Sequence, residues 1–214
     1  MMVNMVQSRR EMYAEQTRQA LADCALGLFV GRGFAETSVQ DITDAAGVSK
    51  GTFYNHFTDK QAAFSRLFRD EVVRIATRID SAVQALRSMP SGHGMMVAAQ
   101  VTSEFLANSV ENEAHRELLR QAPAVLGDRL YRQIDHELVL PSITALLSAM
   151  QERGEVKVET QVEMAAQLLL ACLCEATLAI ASSGHRTSTQ QEAFATVAQF
   201  FTGLLALPAN GSHA

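Results

Sequence analysis

Apolar residues recur at intervals of three and four almost from end to end of this chain, and no run alternates strictly between apolar and polar positions as a half-buried strand would. The pattern predicts an all-α protein. In a first helix from about Ala14 to Arg32, the residues Leu21, Ala25, Leu28 and Phe29 form one stripe, and Gly33 supplies the left-handed residue that ends it. Ser38 with Asp41 three residues later resembles a capping box for a short second helix that ends at Gly47. Ser49 then caps a third short helix, Lys50 to His56, after the tight turn Ala46-Gly47-Val48. Two short helices joined by a glycine-containing turn make a helix-turn-helix. Thr58 or Asp59 caps a fourth helix whose period runs through Phe64, Phe68, Val72, Ile79 and Leu86. At 1.5 Å per residue this element spans roughly 40 Å, enough to join two domains.

Pro90, Gly92 and Gly94 make the clearest break, since both residue types stop a helix. Beyond it the pattern predicts helices near 95–109, 113–121, 127–153, 159–182 and 188–207, with Pro141 kinking the third of these. The resulting division is a flexible arm (1–12), a helix-turn-helix reader (13–58), a larger helical body (59–207) and a flexible tail (208–214).

With 48% hydrophobic residues among 214, the chain can bury a sizeable core and is expected to be a cytoplasmic globule. The longest nearly apolar run, Ala165 to Ala181, is broken by Gln167, Glu175 and Thr177 and reads as too short for a membrane span. The N-terminus lacks the apolar stretch of a secretory signal. Cys24, Cys172 and Cys174 sit within apolar helical patterns and read as free thiols. The six histidines show no metal-ligand spacing, and no HExxH, GxSxG, phosphate-loop or dinucleotide motif occurs, so neither an enzyme nor a cofactor is expected. The net charge of −5 gives no support to nucleic-acid binding, and the first 60 residues hold six bases against seven acids. Any such activity must rest on where individual cations stand.

The segment Gly33-Phe34-Ala35-Glu36-Thr37-Ser38-Val39-Gln40-Asp41-Ile42, followed by Ala45-Ala46-Gly47-Val48-Ser49-Lys50-Gly51-Thr52-Phe53-Tyr54-Asn55-His56-Phe57 and Asp59-Lys60, resembles the DNA-binding domain of the TetR family of transcriptional regulators. It covers about a quarter of the chain; the remainder is similar only in helical character and length. The residues agree with the resemblance, because Phe53 and Phe57, four apart, would dock the third helix inward and leave Lys50, Gly51, Thr52, Tyr54, Asn55 and His56 mostly outward. The resemblance implies that Lys50, Gly51, Thr52 and Tyr54 approach bases and adjacent phosphates in the major groove, with Gln40 contributing from the second helix. Thr52 can touch a thymine methyl, Gln40 can pair with adenine, and Gly51 permits close backbone approach. Ser38, Ser49, Tyr54, His56 and Lys60 suit phosphates. Arg9 and Arg10 are candidates for an arm that follows the DNA backbone.

The helix at about 159–182 is apolar nearly all round and must be covered on more than one side. The resemblance implies a twofold homodimer built on the last two helices, with Leu169, Cys172, Ala176 and Ile180 from one and Phe194, Val197, Phe201 and Leu204 from the other. It also implies a small-molecule pocket in the body. Met96, Phe105, Leu119, Tyr131, Ile134, Met150 and Leu168 are candidates for an apolar or aromatic guest, and Tyr131, His115, His136 and Glu175 for its polar contacts. Glu175 stands out because an acid inside so apolar a helix is costly to bury. The expected activity is ligand-released repression at an inverted-repeat operator. The alternatives are a transcriptional activator, or a ligand- or partner-binding protein of the same fold without operator recognition, which the net acidity favours.

Overall fold

A computed structural model describes residues 9–205, and the chain over those residues is helical, as expected. The helices are α1 (Arg9–Arg32), α2 (Val39–Ala46), α3 (Lys50–Tyr54), α4 (Lys60–Ser88), α5 (Gly94–Glu111), α6 (Glu113–Leu138), α7 (Leu140–Glu152), α8 (Val162–Ser182) and α9 (Arg186–Leu204). α1 begins at Arg9, so residues 9–12 of the expected arm are helical. The rest of the arm and the expected tail at 208–214 lie outside the described residues.

The short helices start and stop where their caps dictate. Ser38 and Asp41 form the capping box on α2, and Gly47 at φ 65° closes it in the left-handed conformation that glycine adopts without penalty. Ser49 caps α3 by accepting from the Thr52 amide, and Asp59 caps α4 by accepting from Ala62. α3 ends at Tyr54 rather than His56, its last turn closing through the amides of His56 and Phe57 onto the Phe53 carbonyl.

The body departs from the expected pattern between 113 and 153. The gap expected after 121 is absent, because Pro123 is accommodated within α6. The direction of α6 changes instead at Gly127, with φ 77° and ψ 154°, a conformation open to glycine and strained for other residues. Pro141 does not kink a long helix; it lies in the first turn of α7, where its missing N–H costs nothing.

α4, about 43 Å long at 1.5 Å per residue, carries one continuous core from the reader into the body. At the reader end Phe29, Phe34 and Phe64 pack with ring centroids 5.3–5.6 Å apart, joining α1, the following turn and α4. α6 forms a second link. Its Gln121 is buried, donates to the Phe29 carbonyl at 3.0 Å and accepts from the Phe34 amide at 2.7 Å. Nearby, Gln61 of α4 donates to the Val125 carbonyl at 2.7 Å.

α8 is, by length and composition, apolar enough to cross a bilayer, which corrects the expectation that its run is too short. In this fold Leu169, Leu170 and Ile180 point into the core, while Met164 and Leu168 on its opposite side are 56% and 60% exposed.

Candidate functional site

The turn between α2 and α3 presents a compact surface. Phe53 and Phe57 are buried with rings 5.5 Å apart, and Arg18 of α1 lies over the Phe57 ring at 5.8 Å. This anchoring fixes α3 and leaves Lys50, Gly51, Tyr54 and Asn55 exposed, with Thr52 and His56 half-buried. Tyr54 rests edge-on against Phe53, so its ring direction is set from below although it is 55% exposed. Arg32 pairs with Asp41 at 3.3 Å and holds α2 against α1; the capping hydrogen bonds from Ser38, and then Arg32, keep the Asp41 carboxyl below its ordinary pKa. Gln40 is exposed, and its amide donates to Asp44 at 2.6 Å.

Lys60 stands differently from the other cations of this face. Its ammonium donates to the carbonyls of Phe34 and Thr37, both at 2.6 Å, reaches that of Ala35 at 3.5 Å, and lies 4.1 Å from the centre of the Phe34 ring. Partial burial lowers its pKa, opposed by Glu36 and Asp41. All three donors of the ammonium are thus directed at the α1–α2 turn. A phosphate-facing Lys60 is not what the geometry offers: the side chain organises the turn on which α2 starts.

The body contains a cavity of about 1030 Å³ of atom-free space, its mouth included, walled by α4, α5, α6, α7, α8 and α9. Val72 and Ile79, Val101 and Phe105, Leu119, Leu146, Leu170 and Phe201 make most of the wall. Arg78, Thr102, Glu104, Asn108 and Thr177 add polar side chains to it, and two further polar clusters interrupt it. At one, the buried His115 bonds through Nδ1 to Glu71 at 2.6 Å, and Glu71 also pairs with Arg74. Against the opposing cost of burial, these partners hold the Glu71 carboxyl at about 2. At the other, Tyr131, Asp135 and Cys174 meet, and the Cys174 thiol donates to Asp135 at 3.6 Å. Burial pushes the Asp135 carboxyl up to about 6 and the Cys174 thiol up to about 12, and raises the Tyr131 phenol above its ordinary range.

Residues 21–67 match the family described as "Bacterial regulatory proteins, tetR family", and residues 95–204 match "Tetracyclin repressor-like, C-terminal domain". The second match alone spans more than half of the sequence. The chain belongs to the TetR family. This TetR-family protein is 28% identical to the transcriptional repressor BepR of Brucella suis over 179 residues, covering 76% of this chain and 79% of that one. A TetR-family regulator from Pectobacterium atrosepticum superposes with a TM-score of 0.72 at 27% identity, covering 94% of this chain and all of the other. SmeT, the repressor of a multidrug efflux pump of Stenotrophomonas maltophilia, shares the fold with a TM-score of 0.75 at 16% identity over 92% of this chain and 93% of its own, and has also been solved with triclosan. The protein is therefore a DNA-binding transcriptional regulator of the TetR family.

Within this TetR-family body, the structure redistributes the expected pocket residues. Phe105, Leu119 and Tyr131 line the cavity, as does His115. Ile134 and Met150 are fully buried but outside the lining, while Met96, Leu168, Glu175 and His136 are exposed. The costly buried acid is Asp135, not Glu175. Asp135 lies one turn after Tyr131, and that spacing of four was the available signal; the bend at Gly127 hid which face of the segment turns inward. The residues expected at the dimer contact differ in their exposure within one protomer. Leu169, Ile180, Val197 and Phe201 are buried within the protomer, and Cys172, Ala176, Phe194 and Leu204 are half-buried. The outward apolar positions are Met164 and Leu168 on α8 and Phe200, 55% exposed, on α9.

Proposed function

We propose that this regulator is a ligand-released repressor: a twofold homodimer in the cytoplasm whose two readers, residues 13–58 of each copy, bind an inverted-repeat operator. A small, largely apolar or aromatic molecule entering the body, residues 59–207, would lower that affinity. The observation that carries this reading is that α4 and α6 both wall the cavity and both hold the reader. Leu119 lines the cavity and Gln121, two residues on, grips the end of α1 and the turn after it. A guest that moves α6 therefore moves the reader. Half-sites on one face of DNA lie about 34–36 Å apart, so a small rotation of each reader suffices to lose the match. The guest must prefer one spacing of the readers, since equal binding to both shifts nothing.

At the DNA, Lys50, Gly51, Thr52, Tyr54 and Gln40 would meet bases and nearby phosphates, and Ser38, Ser49 and His56 would fix register on the backbone. Gln40 must first release Asp44. Lys60 acts one step back, by holding the turn. The alternative of a binding protein without operator recognition draws support from the engagement of Lys60 and the net charge of −5.

The deciding experiment is selection of genomic fragments by the purified protein at two salt concentrations. An enriched inverted repeat, bound more weakly as salt rises and lost in a Lys50→Ala, Tyr54→Ala double variant, is the expected result. Absence of any enriched sequence at either salt favours the binding-only alternative.

A further inference from the structure

The cavity wall is mostly apolar; besides His115 and the scattered polar side chains of Arg78, Thr102, Glu104, Asn108 and Thr177, α6 and α8 bring Tyr131, Asp135 and Cys174 together in it. Asp135 is only 7% exposed and forms part of the cavity wall. Its neighbours there are the Cys174 thiol and the Tyr131 phenol, both held protonated by burial. These neutral donors satisfy part of the carboxylate's hydrogen-bonding capacity and none of its charge. Among the described residues no cation pairs with it. Of the cations nearby, Arg132 is exposed and paired with Asp128 at 2.8 Å, and Arg78, which lines the cavity from α4, is exposed and makes no ion pair with Asp135. His115 is bonded to Glu71. The remaining charges, Glu104 in the wall and Glu175 on the outer side of α8, are negative.

A buried acid facing apolar space without a counter-charge is costly to keep ionised, and a cation arriving from that space removes the cost. We infer that the ligand is a lipophilic cation, an aromatic or alicyclic body filling the apolar cavity with a protonated amine seated against Asp135. This rests on the cavity being the regulatory site. An anionic ligand such as a fatty-acid carboxylate would meet the same acid with repulsion, and a neutral alcohol or phenol would gain a hydrogen bond without relieving the charge.

The test uses naphthylmethylamine and naphthylmethanol of the same ring substitution, which differ only in an ammonium against a hydroxyl. Each is titrated into the full-length protein by naphthalene fluorescence, and each is then added to the protein bound to its selected operator. At neutral pH the amine should bind about tenfold or more tighter than the alcohol. Asp135→Asn should bring the two within about twofold, and Asp135→Glu should retain the preference. The wild-type comparison requires no variant, so poor folding of a variant does not rescue the inference. Equal binding of the pair, failure of the amine to bind, or a preference that survives in a folded Asp135→Asn protein overturns it. If the two bind equally and both release the operator, the regulatory reading stands and the cationic assignment falls. If the amine is preferred through Asp135 yet operator binding is unchanged, the cationic site stands and the regulatory reading falls.

Discussion

Lys50 and Lys60 are ten residues apart and both lie within the segment that resembles a DNA reader, yet their surroundings give them different work. Lys50 is exposed at the start of α3 and has no ion-pair partner among the described residues, whereas the Lys60 ammonium is committed to backbone carbonyls of the α1–α2 turn. Replacing Lys60 by Met should cost about 1–3 kcal/mol of stability, because those carbonyls lose a charged donor. Lys50→Ala should leave unfolding unchanged, weaken binding to all DNA sequences alike and reduce the salt slope by about one. Urea unfolding and fluorescence anisotropy at several salt concentrations separate the two; a Lys60→Met protein of wild-type stability would return that residue to the DNA contact set. Asp135 gives a second residue-level prediction. Its carboxyl titrates at about 6 in the folded chain against an ordinary value of 3.8, so the folded state holds the proton more firmly than the unfolded state does. Its contribution is therefore most favourable below about pH 4 and declines as pH rises through 6. Asp135→Asn should stabilise the ligand-free protein at pH 8 by up to about 3 kcal/mol and change little near pH 4. Urea unfolding at the two pH values checks this, and an equal effect at both would show that the carboxylate is not strained by burial.

At the scale of elements, the N-terminal third was legible in the sequence because its signals are local. Ser38 with Asp41, Gly47, Ser49 and Asp59 each act within four residues, and each does in the fold what its position implies. The cavity was less legible. Met150 and Leu146 belong to the same helix and are equally apolar, but only Leu146 faces the cavity, a distinction set by how α7 is rotated against α4 and α8. No stripe along a single helix reports that rotation. α6 combines both situations, since its first segment ends in ordinary helical spacing and its second is re-aimed at Gly127. The joint made by Gln121 should be separable from ligand binding. Gln121→Met keeps the side-chain length and removes both hydrogen bonds to the α1 end and the following turn. Ligand affinity should stay within about twofold, while ligand-induced release of the operator weakens by about fivefold or more, the size of a typical coupling between sites. Undiminished release in this variant would assign the coupling to α4 alone.

At the scale of the whole molecule, the surface of α8 and α9 is the feature that one chain leaves unresolved. α8 buries Leu169, Leu170 and Ile180 in its own core and turns Met164 and Leu168 outward, and α9 adds Phe200 beside the buried Val197 and Phe201. Large apolar side chains more than half exposed on two neighbouring helices that pack on each other are costly in water, and in the proposed homodimer a twofold copy of the same face would cover them with their own kind. The readers then become a pair. A single helix-turn-helix contacts one half-site, while two held at a fixed distance bind with an effective concentration that multiplies their separate affinities. Leu168→Arg places a charge in the proposed interface at a position 60% exposed in the protomer, so the fold of each chain should survive. Sedimentation should find a helical monomer at micromolar concentration. Its cavity should still bind the wild-type ligand, and operator affinity should fall by about 100-fold or more at fixed salt, toward non-specific levels. A Leu168→Arg protein that remains dimeric and keeps operator affinity would move the twofold contact to another face of the body and leave Met164, Leu168 and Phe200 without a partner.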